Sequence, residues 1–450
     1  MKQNKENANP GSGKGERFSS SGFILAAIGS AVGLGNMWKF PYITGQNGGA
    51  AFFLLFIICL IIVGLPVLMA ELAIGRGGRG NASTSFFKIG GNRTFGRLGL
   101  LSVIAPTLIL SFYSIVAGWT LHYAVQTFSG KLFTGGDFSE QFNGFTSGYM
   151  SIVWTFVVMV CTCAVIIKGV SSGIEKFNKI LIPGMLLLLI VLMIRALTLP
   201  GAGEGASFFL RPDFSKLSAE AALVALGHAF FSLSLGMGTM ITYGSYVERK
   251  QSLGAATFAI GGGDLLYAFI AGLIIFPTTF SFGIDAGQGP GLVFVALPAA
   301  FSAMPFGSLF GGLFFVLLAI AALTSTVSLL EVPVAFTMER WGWSRKKAAC
   351  ILAALIFVLS IPSLLSLGLV PELKIANKGF FDFMDFVASN ILLPLGGLIV
   401  TIFVGYFWKN AAEEVGLKSA WFRIWLFMMR YVAPILIVLI FLYSSGLLKL

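Results

Sequence analysis

Two short runs stand out for what their residues could bind: Ile28-Gly-Ser-Ala-Val-Gly-Leu-Gly-Asn36 and Phe230-Phe-Ser-Leu-Ser-Leu-Gly-Met-Gly238. Each sets a GxG beside hydroxyl or amide side chains inside otherwise apolar sequence. A glycine costs a helix about 1 kcal/mol relative to alanine, so both runs read as helix breaks that free backbone groups. At membrane depth such groups are tolerated only where they line a cavity or bind something. Tight packing through small residues explains Gly261-Gly262-Gly263 but not these two runs, where polar side chains accompany the glycines. The chemistry on offer is reversible binding. Bond-making constellations such as HExxH or a Ser/His pair are absent from the sequence, and Gly11-Ser-Gly-Lys-Gly15 lacks the first Gly and the Ser/Thr of a P-loop. An enzyme is not expected.

The elements that carry these runs follow from composition. Of 450 residues 56% are hydrophobic and 11% charged, against about 25% charged in a soluble domain, and the mean hydropathy is +0.89. Lipid must cover such a chain. Spans of about 20 apolar residues are expected at residues 20–46, 50–75, 98–128, 150–168, 174–197, 220–247, 252–284, 307–338, 346–366, 380–408 and 420–446, making an all-α membrane protein of about eleven helices. The apolar but Gly- and Pro-broken stretch from Gly287 to Pro305 reads as a re-entrant or capping segment. The net charge of +11 lies in short loops, including Arg76, Arg79, Lys88, Arg93 and Arg97 after helix 2 and Arg340, Arg345, Lys346 and Lys347 after helix 8. All fall on one side if the N-terminus is cytoplasmic. No continuous basic surface suits nucleic acid. Cys59, Cys161, Cys163 and Cys350 sit in apolar stretches, and the two histidines, His122 and His228, exclude a His-rich metal cluster.

The broken helices are the first and the sixth, so they open two five-helix blocks, the second inverted relative to the first. The expected division is a cytoplasmic tail (1–19), a first repeat (20–197), an outer loop (198–219), a second repeat (220–409), and helix 11 with an extracellular end (410–450). Broken helices in matching positions of inverted halves point to a transporter site at the midplane. A channel would need a repeated pore ring or filter loop, which two divergent halves do not supply. Gly173 and Pro183, ten residues apart near the inner end of helix 5, suggest a hinge, since proline removes one helical hydrogen bond and glycine adds freedom.

The run Gly29-Ser-Ala-Val-Gly-Leu-Gly-Asn-Met-Trp-Lys-Phe-Pro41 resembles the first-helix signature of the neurotransmitter:sodium symporter family, with its LeuT-type 5+5 inverted repeat. The resemblance continues through Asn47 to Phe52, Pro66, Glu71 to Arg76, Ser232 to Tyr246 and Ala321 to Ser325. Eleven helices suit its bacterial amino-acid branch, which implies a multi-pass protein of the bacterial cell membrane. The resemblance implies sodium-coupled import of hydrophobic L-amino acids, aliphatic and aromatic, with two Na⁺ ions. The first ion would take Ala31, Asn36, Ser232 and Asp264. The second would take Gly29, Val32, Ala321, Thr324 and Ser325. Both use oxygens, as a hard cation prefers.

The same resemblance implies that the substrate carboxylate meets the N–H groups of Leu34 and Gly35 and the Tyr113 hydroxyl. Carbonyls of Ala31, Phe231, Ser232 and Ser234 would take the ammonium, and Ile109, Phe231, Leu233, Met237 and Leu329 the side chain, with Ser325 bordering both ligands. Gly33 stands where monoamine carriers have Asp. Lys39 and Asp385 would close an outer ion pair, with Phe231 as lid. An inner cluster of Ser245, Tyr246, Glu331 and Glu339 would take a basic partner from the tail, Lys14 or Arg17. Glu71 is expected either to act as a functional buried charge or simply to bind the backbone of a broken helix. Asp264, where chloride-dependent relatives have Asn, implies no chloride requirement. Membrane lipid is an expected partner; nucleic acid and an obligate protein partner are not.

Overall fold

The computed structural model describes residues 17–285, 287 and 291–448. Among them, nine helices are long and apolar enough to cross a bilayer. A tenth span is the pair Ser20–Ala31 and Gly35–Gln46, bent by 44°. Where the sixth span is expected stand a shorter apolar helix, Ala219–Ser232, and then Thr239–Ser245, together called helix 6. In chain order the uninterrupted spans are helix 2 (Ala50–Gly78), helix 3 (Arg93–Phe128), helix 4 (Tyr149–Ile167), helix 5 (Val170–Leu197), helix 7 (Leu253–Ser281), helix 8 (Gly307–Trp341), helix 9 (Arg345–Ser366), helix 10 (Phe380–Phe407) and helix 11 (Ser419–Ser444). The two broken spans are the first and sixth, where the glycine runs place them. The protein is an all-α integral membrane protein.

Burial separates the centre from the periphery. The apolar window of helix 8 is 78% buried inside the protein and that of helix 3 is 72%, against 28% for helices 5 and 11. Helices 3 and 8 pack most extensively against each other and form the frame behind the breaks. Helix 4 turns Tyr149, Met150, Val153, Phe156 and Val160 outward. Water would penalise such a face at roughly 25 cal/mol per Å², and lipid does not. Between helices 7 and 8 the short apolar helix Leu292–Ala303 lies within the stretch expected to be re-entrant. Leu292, Val293 and Phe294 are buried, so it packs into the protein as either a re-entrant or a capping segment would.

The breaks themselves are held by packing. The first half of helix 1 starts on Ser19, whose side chain caps the Gly22 N–H, and ends at Val32. In helix 6, Ser234 has φ +55° and Gly236 φ +78°. A Cβ on Gly236 would lie 2.2 Å from the Leu393 carbonyl oxygen of helix 10, so only glycine lets the unwound strand approach. The freed Gly236 N–H donates to Glu71 Oε1 at 2.7 Å. Of the two roles expected for Glu71, the structure displays the backbone one.

Candidate functional site

The two breaks face each other across helices 3 and 8. A cavity of about 20 Å³ lies between them, lined by Ser30, Ala31, Gly33, Gly35, Ile109, Tyr113, Phe231, Ser232, Ser234, Met237, Ser325, Ser328 and Leu329. That volume holds about one water, so a larger ligand enters by moving walls. At one end, the Leu34 N–H donates to Tyr113 Oη at 3.0 Å. A Cβ on Gly33 would lie 2.5 Å from Ser325 Oγ and 2.9 Å from Tyr113 Oη. Helix 1, helix 3 and helix 8 therefore converge there, with the Leu34 N–H and the Tyr113 hydroxyl side by side at the start of the second half of helix 1. That donor set suits an anion.

Beside it is a compact polar triad. Asp264 Oδ1 accepts from Asn36 Nδ2 at 2.7 Å and from Ser232 Oγ at 2.7 Å. Ser232 Oγ also lies 2.7 Å from Asn36 Oδ1. All three residues are buried, and Asp264 Oδ2 is buried without a hydrogen-bond partner. A carboxylate oxygen left unpaired in a low-dielectric site is costly. A cation among these oxygens would satisfy it. The residues at the first expected ion site fit a sodium ion.

At the second expected site, Thr324 Oγ1 donates to the Ala321 carbonyl at 3.0 Å and Ser325 Oγ at 3.2 Å. This is helix back-bonding, but it uses only the hydroxyl hydrogens; the oxygen lone pairs remain to accept a cation. The contact of Gly33 with Ser325 brings the helix 1 break against this turn of helix 8. Val32 closes the first half of helix 1, its N–H bonded to Ile28 O at 2.7 Å. Gly29 packs on helix 5, where Asn178 Oδ1 and Ile182 leave no room for a Cβ.

Several expected residues sit differently from the expectation. Leu233 is buried with its side chain against Gly64 of helix 2 and does not line the cavity; in the turn after Ser232 its side chain faces helix 2. Lys39 and Asp385 form no ion pair: Lys39 Nζ lies over the Phe231 ring, 5.1 Å from its centroid, and Asp385 Oδ1 accepts from Ser389 at 2.8 Å. Lys39 and Phe231 instead border a cavity of about 690 Å³ between helices 1, 6, 10 and 11.

Among the described residues, Glu331 pairs with Arg345, and the expected tail partner Lys14 falls outside them. Arg345 Nη1 donates to Glu331 Oε2 at 2.7 Å and Nη2 to Oε1 at 3.1 Å, with Tyr246 Oη on Oε1 at 2.6 Å. Arg345 opens helix 9, directly after the turn that follows helix 8, which puts it within reach of Glu331. Glu339 accepts from the Asn81 backbone and side chain at 2.8 and 2.6 Å, and Ser245 Oγ donates to Thr242 O at 2.6 Å. Arg17 is exposed, and Lys14 lies outside the described residues. The tail contributes Phe18, buried edge-on to Tyr243 and Tyr246.

Sequence reasoning missed Ser30 and Ser328, joined by a 2.9 Å hydrogen bond, although Ser328 lies one turn after Ser325 and so shares its face. It also missed Glu175. This side chain accepts from the Ser19 N–H at 2.9 Å and from Ser19 Oγ and Lys179 Nζ at 2.5 and 2.6 Å. It ties the start of helix 1 to the start of helix 5. That start, Val170–Glu175, is π-helical. A Cβ on Gly173 would lie 2.3 Å from the Val165 carbonyl oxygen, so the glycine is required for close packing there, whatever its part in motion.

Comparison with known proteins fits this geometry. The model of the sodium:neurotransmitter symporter family matches residues 16–144 and 137–449. An uncharacterized sodium-dependent transporter of Bacillus subtilis (strain 168), YhdH, is 39% identical over 96% of this chain and 98% of its own length. One from Haemophilus influenzae is 36% identical over 93% and 95%. The crystal structure of MhsT in complex with L-phenylalanine superposes with a TM-score of 0.89 at 45% identity, covering 96% of this chain and all of that one.

Proposed function

The chain belongs to the sodium:neurotransmitter symporter family and is a sodium-dependent symporter of a small molecule, and on that premise we propose that it imports hydrophobic L-amino acids, aliphatic and aromatic, with two sodium ions. The observation that carries the substrate reading is the cavity wall. Ile109, Phe231, Met237 and Leu329 give it an apolar face without a counter-charge, while Tyr113 and the Leu34 and Gly35 N–H groups provide one anion-binding end. The space at Gly33 is already filled by Ser325 and Tyr113 oxygens, so the position offers no acid to an amine. The likeness to MhsT, crystallised with L-phenylalanine, supports the same reading.

The first sodium takes the Ala31 carbonyl, Asn36, Ser232, Asp264 and the substrate carboxylate. The second takes the Gly29, Val32 and Ala321 carbonyls with the Thr324 and Ser325 hydroxyls. Asp264 supplies the negative charge at the first site, so chloride is not required. The ions order the breaks, the amino acid completes the first site, and helices 1 and 6 rock against helices 3 and 8. Net movement of positive charge makes uptake electrogenic. The protein resides in a bacterial cell membrane with its N-terminus cytoplasmic, repeats at 20–197 and 220–409, and helix 11 beyond them. Phe231 with Lys39 closes outward; Tyr246, Glu331 and Glu339 close inward; Gly173 and Pro183 flank the mobile turn of helix 5.

The test is uptake into proteoliposomes under an imposed sodium gradient, with competing amino acids. Leucine and phenylalanine compete strongly and lysine weakly, because an unpaired side-chain charge in this cavity costs several kcal/mol. Equal competition by lysine and leucine refutes the substrate reading.

A further inference from the structure

The site described so far leaves one oxygen without a role. Asn178 of helix 5, midway between Gly173 and Pro183, is fully buried. Its Nδ2 donates to the Ile174 carbonyl at 2.9 Å, which fixes the amide with its oxygen on the other side. That oxygen, Oδ1, is buried and accepts no hydrogen bond. It faces helix 1: a Cβ on Gly29 would lie 2.1 Å from it. Adding one carbon–carbon bond of about 1.5 Å, Oδ1 is no more than about 3.6 Å from the Gly29 Cα. Gly29 is the residue whose carbonyl is assigned to the second sodium.

A weak Cα–H···O contact accounts for the packing of the two helices here, but an apolar side chain would pack as well without stranding a carbonyl oxygen. The surroundings separate a held part of helix 5 from a looser one. Tyr267 Oη of helix 7 donates to the Ile182 carbonyl at 2.8 Å and anchors the turn after Asn178. Before it lies the π-helical Val170–Glu175, joined to helix 1 through Glu175 and Ser19. Asn178 thus stands on the inner side of the ion, at the edge of the turn that can open.

We propose that Asn178 Oδ1 is a transient sodium ligand that takes the second ion from the Gly29 and Val32 carbonyls as the start of helix 5 unwinds, and releases it inward. A neutral amide suits such a transfer, because an ion pathway needs sites favourable enough to enter and weak enough to leave, and a carboxylate would hold the ion. The proposal rests on the second-site assignment above.

The test uses the full chain in proteoliposomes with ²²Na⁺, measuring equilibrium sodium binding and the rate of inward release. Asn178→Leu keeps the bulk and removes the oxygen; release slows about fivefold or more, equilibrium affinity stays near that of the parent, and kcat falls without a change in substrate KM. Asn178→Asp, nearly identical in shape, keeps the test alive if the leucine variant does not fold; it binds sodium more tightly and releases it more slowly. Parent-like release in Asn178→Leu, or parent-like sodium affinity in Asn178→Asp, overturns the proposal. The Thr324→Ala/Ser325→Ala variant separates the two levels. If it binds both ions like the parent, the second-site assignment fails and this proposal falls with it. If it loses one ion while Asn178→Leu releases sodium at the parent's rate, this proposal alone fails.

Discussion

Replacing Asp264 by Asn exchanges one carboxylate oxygen for an NH2 group and removes one charge from the buried triad with Asn36 and Ser232. Asp264 Oδ1 accepts two hydrogen bonds of 2.7 Å, so the amide oxygen must occupy that position. The amide nitrogen then replaces the unpartnered Oδ2 and presents hydrogens where a cation would bind. A unit charge about 4 Å from Na⁺ at an effective dielectric of about 20 is worth about 4 kcal/mol. Burying the carboxylate also carries a penalty that disappears with the charge, so about half of that is the net loss. About 2 kcal/mol corresponds to roughly 30-fold weaker sodium binding. The assay is the sodium dependence of amino-acid uptake, in chloride and with gluconate replacing it, for parent and variant. The parent shows the same half-saturating sodium in both anions. The variant needs roughly 30-fold more sodium in gluconate and recovers part of the loss in chloride. A parent that stops transporting in gluconate, or a variant with unchanged sodium dependence there, refutes the assignment of Asp264 as the charge that replaces chloride.

Changing Thr324 and Ser325 together to Ala removes two of the five oxygens assigned to the second ion; uptake loses most of its rate at physiological sodium, and a parent-like sodium curve would count against the site. Pro183→Ala restores a helical hydrogen bond within helix 5 and slows sodium release, read by thiol-reagent accessibility of cysteines placed along Val170–Ile182; equal labelling in sodium and potassium speaks against motion. Glu331→Gln leaves the Arg345 guanidinium without its bidentate partner. Breaking a buried pair costs about 3–5 kcal/mol, and the slight exposure of Arg345 reduces that to roughly 2 kcal/mol; thermal unfolding should shift down by several degrees and the inner side should label faster. Unchanged melting and labelling would mean the pair does not hold the inner side shut.

The positions of the spans and the two breaks were legible because they depend on local sequence. Twenty apolar residues make a span wherever they occur, and Gly29, Gly33 and Gly35 weaken a helix without reference to any neighbour. Asn36, Ser232, Asp264, Thr324 and Ser325 are polar side chains inside apolar helices, but it is the resemblance of the motifs around them to a family that singles them out as ion ligands. What only the tertiary structure decided is which remote side chains meet. Glu331 finds Arg345 across the turn into helix 9, Lys39 lies on Phe231 instead of pairing with Asp385, and Leu233 turns to Gly64. Ser19 meets Glu175, and Gly29 meets Asn178, across more than a hundred residues of chain. Such pairings depend on how rigid helices dock, through contacts like Gly236 on Leu393 that require the absence of a Cβ. Sequence spacing sets the rotation of a residue about its own helix axis; the packing of two helices sets what stands opposite it.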